Sequence, residues 1–261
     1  LSRNKLYTAI EVVGLSIALT FLIVLGSILI DKSQVNDNIK DADEIYSLAY
    51  KDDDTSIGQI GAVGSFLEQI PMVKEWCRFA PCRQVKMKTE SGESLVVNPM
   101  QVTSNFFSFF GLGLTHGDAE QALKVNGHEM SFVSSGDVVY ASAGPSDIDS
   151  KPLTPRGNVV LSKHIADAVF PEENPIGKTI SLLAEWDIHG TYTITGIAAE
   201  LGKCVLPKSD LYISFYEAPA HRDSYMFKPN SKRDVKRILN IIKNHKTANE
   251  YDKGYFPITE I

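Results

Sequence analysis

The chain is poor in the side chains that usually announce chemistry. Its 261 residues include only three cysteines. Cys77 and Cys82 form C-x4-C in WCRFAPC and Cys204 stands alone, so neither a C-x-x-C redox pair nor a four-ligand zinc pattern is present. They read as small buried apolar side chains or, in an oxidising compartment, as a Cys77–Cys82 disulfide. The six histidines (His116, His128, His164, His189, His221 and His245) are scattered, and none forms H-E-x-x-H. There is no G-x-S-x-G nucleophile elbow and no G-x-G-x-x-G opening a helix. No catalytic, cofactor or metal residues are therefore assigned, although a triad can assemble from distant positions. A basic excess is also missing: 26 Lys and Arg against 32 Asp and Glu give a net charge of −6, which argues against a nucleic-acid partner.

A complete phosphate-binding loop is lacking too, despite the triplet Gly177-Lys178-Thr179 in FPEENPIGKTI. The G-x-x-x-x-G-K-[ST] loop needs a glycine at position 172, where this chain has Glu172, followed by Glu173. Two carboxylates would repel the phosphates, and Pro175 removes a backbone donor. The stretch reads instead as a helix stopped by Pro171, a turn begun by Asn174-Pro175 and completed by Gly177, and a strand starting at Lys178 and Thr179.

Charge is wholly absent from one run, VVGLSIALTFLIVLGSILI, between Val12 and Ile30. Nineteen helical residues rise ~28 Å, close to the thickness of a bilayer core. The polar side chains within it, Ser16, Thr20 and Ser27, can bond back to helix carbonyls. Arg3 and Lys5 precede the run, while Asp31, Asp37, Asp41, Asp43 and Glu44 follow. The positive-inside rule then predicts a cytoplasmic N-terminus and an extracytoplasmic remainder. A cleavable signal fits less well, because the run is long and GSILIDKS is a poor exit. A buried core helix or a surface amphipathic helix would show a polar stripe, which this run lacks. Residues 1–30 hold two of the basic and one of the acidic residues, so residues 31–261 carry 24 against 31, or −7. The chain opens on Leu1 and closes on YFPITEI, and it reads as a fragment of a longer protein.

The remainder alternates short strands and helices, an α+β pattern. Strands are expected at 44–50, 73–82, 83–90, 94–103, 158–162, 179–183, 191–200 and 211–218. Val63, Phe66, Leu67 and Ile70 recur at helical spacing and predict a helix over 57–73. The aspartates of 52–54 lack the spacing of a calcium loop and read as a solvated turn. Phe106, Phe107, Phe109 and Phe110 predict a short core helix rather than a base-stacking surface, since no Lys or Arg flanks them. Ser162 is a good N-cap for a helix whose apolar face is Ile165, Ala166, Val169 and Phe170. Val235, Ile238, Leu239 and Ile242 form the stripe of a helix over 231–246, read as lying on a sheet rather than on a membrane.

Four ordered stretches resemble the FtsX-like permease family, and in particular its MacB-like periplasmic core domain. They are RNKLYTAIEVVGLSIALT (3–20), NFFSFFGLGLTHGD (105–118), VVLSKHIADAVFPEENPIGKTI (159–180) with YTITGI (192–197), and YFPITEI (255–261). The residues carrying the resemblance are Phe106, Phe107, Gly117, Asp118, Ser162, Phe170, Asn174, Pro175, Gly177, Lys178, Gly196 and Pro257, all expected to be structural. The resemblance implies an ABC transporter permease of the inner membrane. It implies a two-lobed periplasmic domain between the first two membrane helices, with a βαβ-type lobe (31–100 and 207–261) and an inserted mainly-β lobe (101–206). It also implies a cytoplasmic ABC ATPase as a separate subunit or domain, a second permease copy and a periplasmic or outer-membrane partner. Residues 125–157 depart from the family pattern and look inserted. Against this stand two rival readings: a single-span extracytoplasmic ligand-binding or sensor domain, which needs an enclosed pocket, and a tethered hydrolase.

Overall fold

The computed structural model describes residues 2–51, 57–59, 67–124, 157–184, 188–215, 223–244 and 258–260. The inserted-looking stretch up to residue 156 and the motif residue Pro257 lie outside them.

The chain begins with a 32-residue helix, α1 (Ser2–Ser33). Among the described residues it is the one helix long and apolar enough to cross a membrane, over Tyr7–Ser33. Its apolar side chains are bare on every side, Leu22 at 63% exposure and Ile23 at 68%, so it has no core to face. The hydroxyls of Ser16, Thr20 and Ser27 donate to the carbonyls of Val12, Ser16 and Ile23 at 2.7, 2.8 and 2.8 Å. Each polar group is thus satisfied within the helix, as a hydrocarbon environment demands.

Beyond α1 lies a mixed sheet with few helices, an α+β domain. In chain order come β1 (Tyr46–Lys51), β2 (Ile57–Gln59), β3 (Val73–Pro81), β4 (Val85–Thr89), β5 (Ser94–Val97) and β6 (Pro99–Val102). A short helix α2 (Phe106–Phe110) leads to β7 (Leu114–His116). Then come β8 (Gly157–Ser162), α3 (Lys163–Val169), β9 (Thr179–Leu183), β10 (Gly190–Ala198), β11 (Leu211–Ser214), β12 (Ser224–Pro229), α4 (Val235–Lys243) and β13 (Ile258–Glu260). The sheet order is β13-β1-β12-β3-β6-β11-β8-β10-β9-β4-β5, with β2 beside β1 and β7 beside β10. Two pairs are parallel, β8 with β10 and β6 with β11; the rest are antiparallel.

Three apolar clusters line this sheet. The central one holds all four phenylalanines of α2, each at most 1% exposed, packed on Phe79, Met100 and Tyr212. Their rings meet edge to face at 4.8–5.4 Å, a geometry worth ~0.5–1.5 kcal/mol per pair beyond area burial. A second cluster joins β4, β5 and β8–β10 to Ile165 and Ala166 of α3. The third packs Ile238 and Ile242 of α4 on Tyr46, Leu48 and Phe227. The basic helix therefore lies on the sheet by the stripe its spacing predicts.

Several expectations need correction. Residues 57–73 do not form one helix: Ile57–Gln59 is a strand beside β1 and Leu67–Gln69 is a single 3-10 turn. Residues 60–66, the middle of the expected helix, lie outside the described residues. The strand expected over 94–103 splits at Asn98, whose backbone N–H and side-chain amide both donate to the Asp210 carboxylate at 2.8 and 2.9 Å. Its halves, β5 and β6, lie far apart in the sheet order. Strand β12, between β1 and β3 and buried along its whole length, is not expected from its sequence SYMFKP. Lys228 and Pro229 disguise it.

Cys77, Cys82 and Cys204 form no disulfide. Cys77 packs in the central cluster and Cys82 against the second. Five residues of extended chain span ~16 Å, far beyond the ~4.4–6.8 Å that a disulfide permits between Cα atoms.

Candidate functional site

No cluster of metal-ligating side chains occurs among the described residues. The feature that stands out is the joint where α1 enters the sheet domain. After Ser33 the chain does not trail off as a linker. The Asn36 N–H donates to the Lys203 carbonyl at 2.8 Å, and the Val205 N–H donates back to Asn36 Oδ1 at 2.9 Å. Lys203 also forms an ion pair with Asp31, at the end of the apolar run. Asn36 adopts a positive φ of 71°, one of the few non-glycine residue types that does so readily. Four residues on, the Lys40 N–H donates to the Phe110 carbonyl at 2.9 Å.

That last bond belongs to a complete accounting of the α2 C-terminus, where carbonyls lose their helical partners. Phe107 and Ser108 carbonyls receive the Gly111 N–H, and Phe107 also receives Leu112 N–H at 2.8 Å. The Phe109 carbonyl receives the buried Lys228 ammonium at 2.5 Å, and Phe110 receives Lys40. Lys228 also sits 4.7 Å above the Phe109 ring. At Gly111 any side chain would strike Lys40, since a Cβ there would lie 2.4 Å from Lys40 Cβ. The segment leaving α1, α2 and the strand β12 are thus tied together within a few hydrogen bonds. Sequence reasoning identified none of Asn36, Lys40, Lys203 or Lys228.

A second feature surrounds the Gly-Lys-Thr triplet. Asn174 Oδ1 accepts from Ile176 N–H at 3.1 Å, starting the turn at Pro175, and Gly177 completes it with φ 87°. Gly177 N–H donates to the Ile194 carbonyl at 2.8 Å, and Ile194 N–H to the Lys178 carbonyl at 2.9 Å, which stitches the turn to β10. Lys178 pairs with Glu173 and lies 5.1 Å over the Phe170 ring. Thr179 donates its N–H and hydroxyl to Glu90 Oε1 at 3.0 and 2.6 Å, and these bonds hold the Glu90 carboxyl below its usual range. Lysine and threonine are both committed to carboxylates. An open groove of about 450 Å³ beside them is rimmed by Glu90, Glu93, Glu172 and Glu173, a surface hostile to phosphate.

The profile of the MacB-like periplasmic core domain family matches residues 8–245. The chain belongs to this family. Among solved structures it is similar to a domain described as part of a permease from Porphyromonas gingivalis, at 16% identity and TM-score 0.59, covering 85% of this chain and 93% of that one. It is also similar to the periplasmic region of MacB from Actinobacillus actinomycetemcomitans, at 13% identity and TM-score 0.52, covering 85% and 90%. A third similarity is to the extracellular domain of the noncanonic ABC-type transporter YknZ from Gram-positive bacteria, at 11% identity and TM-score 0.50, covering 82% and 99%. At these identities the likeness concerns the fold. A comparison with curated protein sequences finds no match.

Within this MacB-like core, the residues singled out in the sequence have identifiable places. Phe106 and Phe107 are core. Asp118 Oδ1 caps the next turn by accepting Glu120 N–H at 2.7 Å. Gly117 and Gly196 meet where β7 crosses β10. A Cβ on Gly117 would lie 2.4 Å from the Thr195 carbonyl oxygen, and one on Gly196 3.1 Å from Leu114 Cδ1. Ser162 caps α3, its hydroxyl accepting Ile165 N–H at 3.3 Å. Phe170, Asn174, Pro175, Gly177 and Lys178 form the turn beside the groove. The described motif residues sit apart, from the central cluster to the turn beside the groove, and do not converge on one ligand position.

Proposed function

We propose that this chain is the coupling domain of an ABC transporter permease. In this reading α1 crosses the inner membrane with its N-terminus in the cytoplasm, and the sheet domain lies outside. A separate cytoplasmic ATPase hydrolyses ATP, a second permease copy completes a dimer, and this domain transmits the motion without chemistry of its own. The task served is efflux through an outer-membrane partner, lipoprotein release or mechanical activation of another periplasmic protein. The domain works as two lobes, 31–100 with 207–261 against 101–206. The exception within 31–100 is the β4–β5 hairpin, which pairs with β9 and in this reading goes with the second lobe.

The observation that carries this reading is the joint. A mechanical coupler needs a stiff entry, and the chain leaves α1 already bonded to Lys203, Val205 and Phe110. A tethered sensor needs only a flexible leash, and the groove beside Lys178 is open rather than enclosed. The test inserts six Gly and Ser residues between Ser33 and Gln34 in the full-length permease reconstituted with its ATPase. ATP hydrolysis should persist, while the nucleotide-dependent change in distance between spin labels on the two periplasmic domains should vanish. An unchanged distance response in the insertion variant would refute mechanical coupling through the joint.

A further inference from the structure

We propose that Val35 and the loop 201–206 form a membrane-resting foot, seated in the lipid headgroup layer on the outer face of the bilayer. The inference rests on the reading that α1 spans the membrane, and it follows from depth. The charge-free run is bounded by Glu11 and Asp31, which fixes its ends. The headgroup region adds ~5–8 Å on each side of the hydrocarbon core. Val35 lies five residues beyond Ile30, so it stands at most ~7.5 Å further out along a helical path.

The loop is held at the same level. Lys203 pairs with Asp31, and its carbonyl accepts Asn36 N–H. Val205 N–H donates to the Asn36 side chain, which brings Val205 beside the residue next to Val35. Both valines face outward, at 39% and 50% exposure, while Leu201 and Cys204 pack inward on the central cluster. Two half-exposed β-branched side chains at headgroup depth have an apolar boundary within reach. The charges around them balance, Lys32 and Lys203 against Asp31 and Asp37. The partner is therefore the glycerol and headgroup layer of phospholipids in general, not an anionic lipid in particular.

The foot gives the coupler a fulcrum. A rocking α1 would turn the sheet domain against the bilayer surface at loop 201–206, rather than about a free hinge.

The test places the photo-crosslinker p-benzoylphenylalanine at Val205, at Val35 and, as a reference inside the span, at Leu22, one position per variant. The full-length protein is reconstituted in phosphatidylcholine vesicles with and without phosphatidylglycerol. After irradiation, mass spectrometry reads lipid adducts. Adducts at all three positions, at Val205 and Val35 with equal yield in both vesicle types and at low and high salt, are the expected result. Lipid adducts at Leu22 but only protein adducts, or none, at Val205 and Val35 would overturn the foot and leave the span intact. A yield at Val205 that requires phosphatidylglycerol would overturn the assignment to lipid of any charge. Absence at Leu22 as well would overturn the span itself, and the foot with it.

Discussion

Gly117 and Gly177 offer a controlled comparison of two causes of destabilisation. Their φ angles are nearly equal, 93° and 87°. A side chain at either position meets the left-handed penalty, ~1–2 kcal/mol for an L-residue. Their surroundings differ. A Cβ at Gly177 finds nothing within 4 Å, whereas one at Gly117 would lie 2.4 Å from the Thr195 oxygen and 3.0 Å from Gly196 Cα. Thr195 cannot easily yield, because its hydroxyl donates to the Ala122 carbonyl at 2.5 Å and its strand lies between β8 and β9. Overpacking against such a wall costs ~1–3 kcal/mol. Gly177→Ala should thus lose ~1–2 kcal/mol, and Gly117→Ala ~2–5 kcal/mol. For a chain of this size each kcal/mol moves Tm by ~2–4 °C, so the two variants should melt ~2–12 °C apart. Scanning calorimetry in mild detergent reads both. Equal losses would show that the β7–β10 crossing tolerates a methyl group, and that the steric account of Gly117 is wrong.

Two further expectations concern buried polar groups. Arg78 and Asp223 form an ion pair at 2.6 Å with side chains only 4% and 3% exposed, and Arg78 also lies 3.6 Å over the Phe215 ring. Asp223→Ala should cost ~3–5 kcal/mol by stranding the guanidinium, while replacing both partners with Met and Leu should recover most of it; equal losses in the single and double variants would contradict this. Burial pushes the Cys77 thiol up to about 12 and raises Tyr212 and Tyr225 above their ordinary value of 10.0. Each group stays neutral in the fold and ionises more readily when unfolded, so its contribution is complete below its ordinary value and is lost as pH rises through the folded one. Denaturant midpoints should therefore hold to about pH 9 and fall beyond it. Cys77 should resist maleimide until the protein unfolds, and labelling in the native state would count against its burial.

Elements with strong local signals are legible in the sequence. The long apolar helix is read from the absence of charge, the Phe helix from its aromatic face, the α3 cap from Ser162 and α4 from its stripe. Failures come where tertiary context overrides local pattern. Apolar spacing predicts one helix over 57–73, but β1 offers Ile57–Gln59 a strand partner. Strand β12 is hidden because its lysine is satisfied at depth by the Phe109 carbonyl, so a residue that usually marks a surface occupies a central strand. The motif turn around Gly177 is readable because Asn, Pro and Gly each impose a backbone preference. The joint is not, because main-chain groups make most of its bonds and every residue but proline has those groups.

Asn36 is an exception, a side chain on which the joint depends, and two substitutions separate its roles. Its Oδ1 accepts the Val205 N–H, and its backbone holds φ 71°. Asn36→Gly keeps the left-handed conformation and removes only the acceptor, so it should cost ~0.5–1.5 kcal/mol. Asn36→Ala loses the acceptor and adds conformational strain of ~1–2 kcal/mol. In both variants the Val205 amide should exchange with solvent faster, because it loses the same partner, while global stability should fall further for alanine. Amide hydrogen exchange resolved at Val205, read beside thermal unfolding, measures the two effects separately. Unchanged Val205 protection in the glycine variant would mean that loop 201–206 is held against the end of α1 by something other than Asn36, and the stiffness assigned to the joint would need another source.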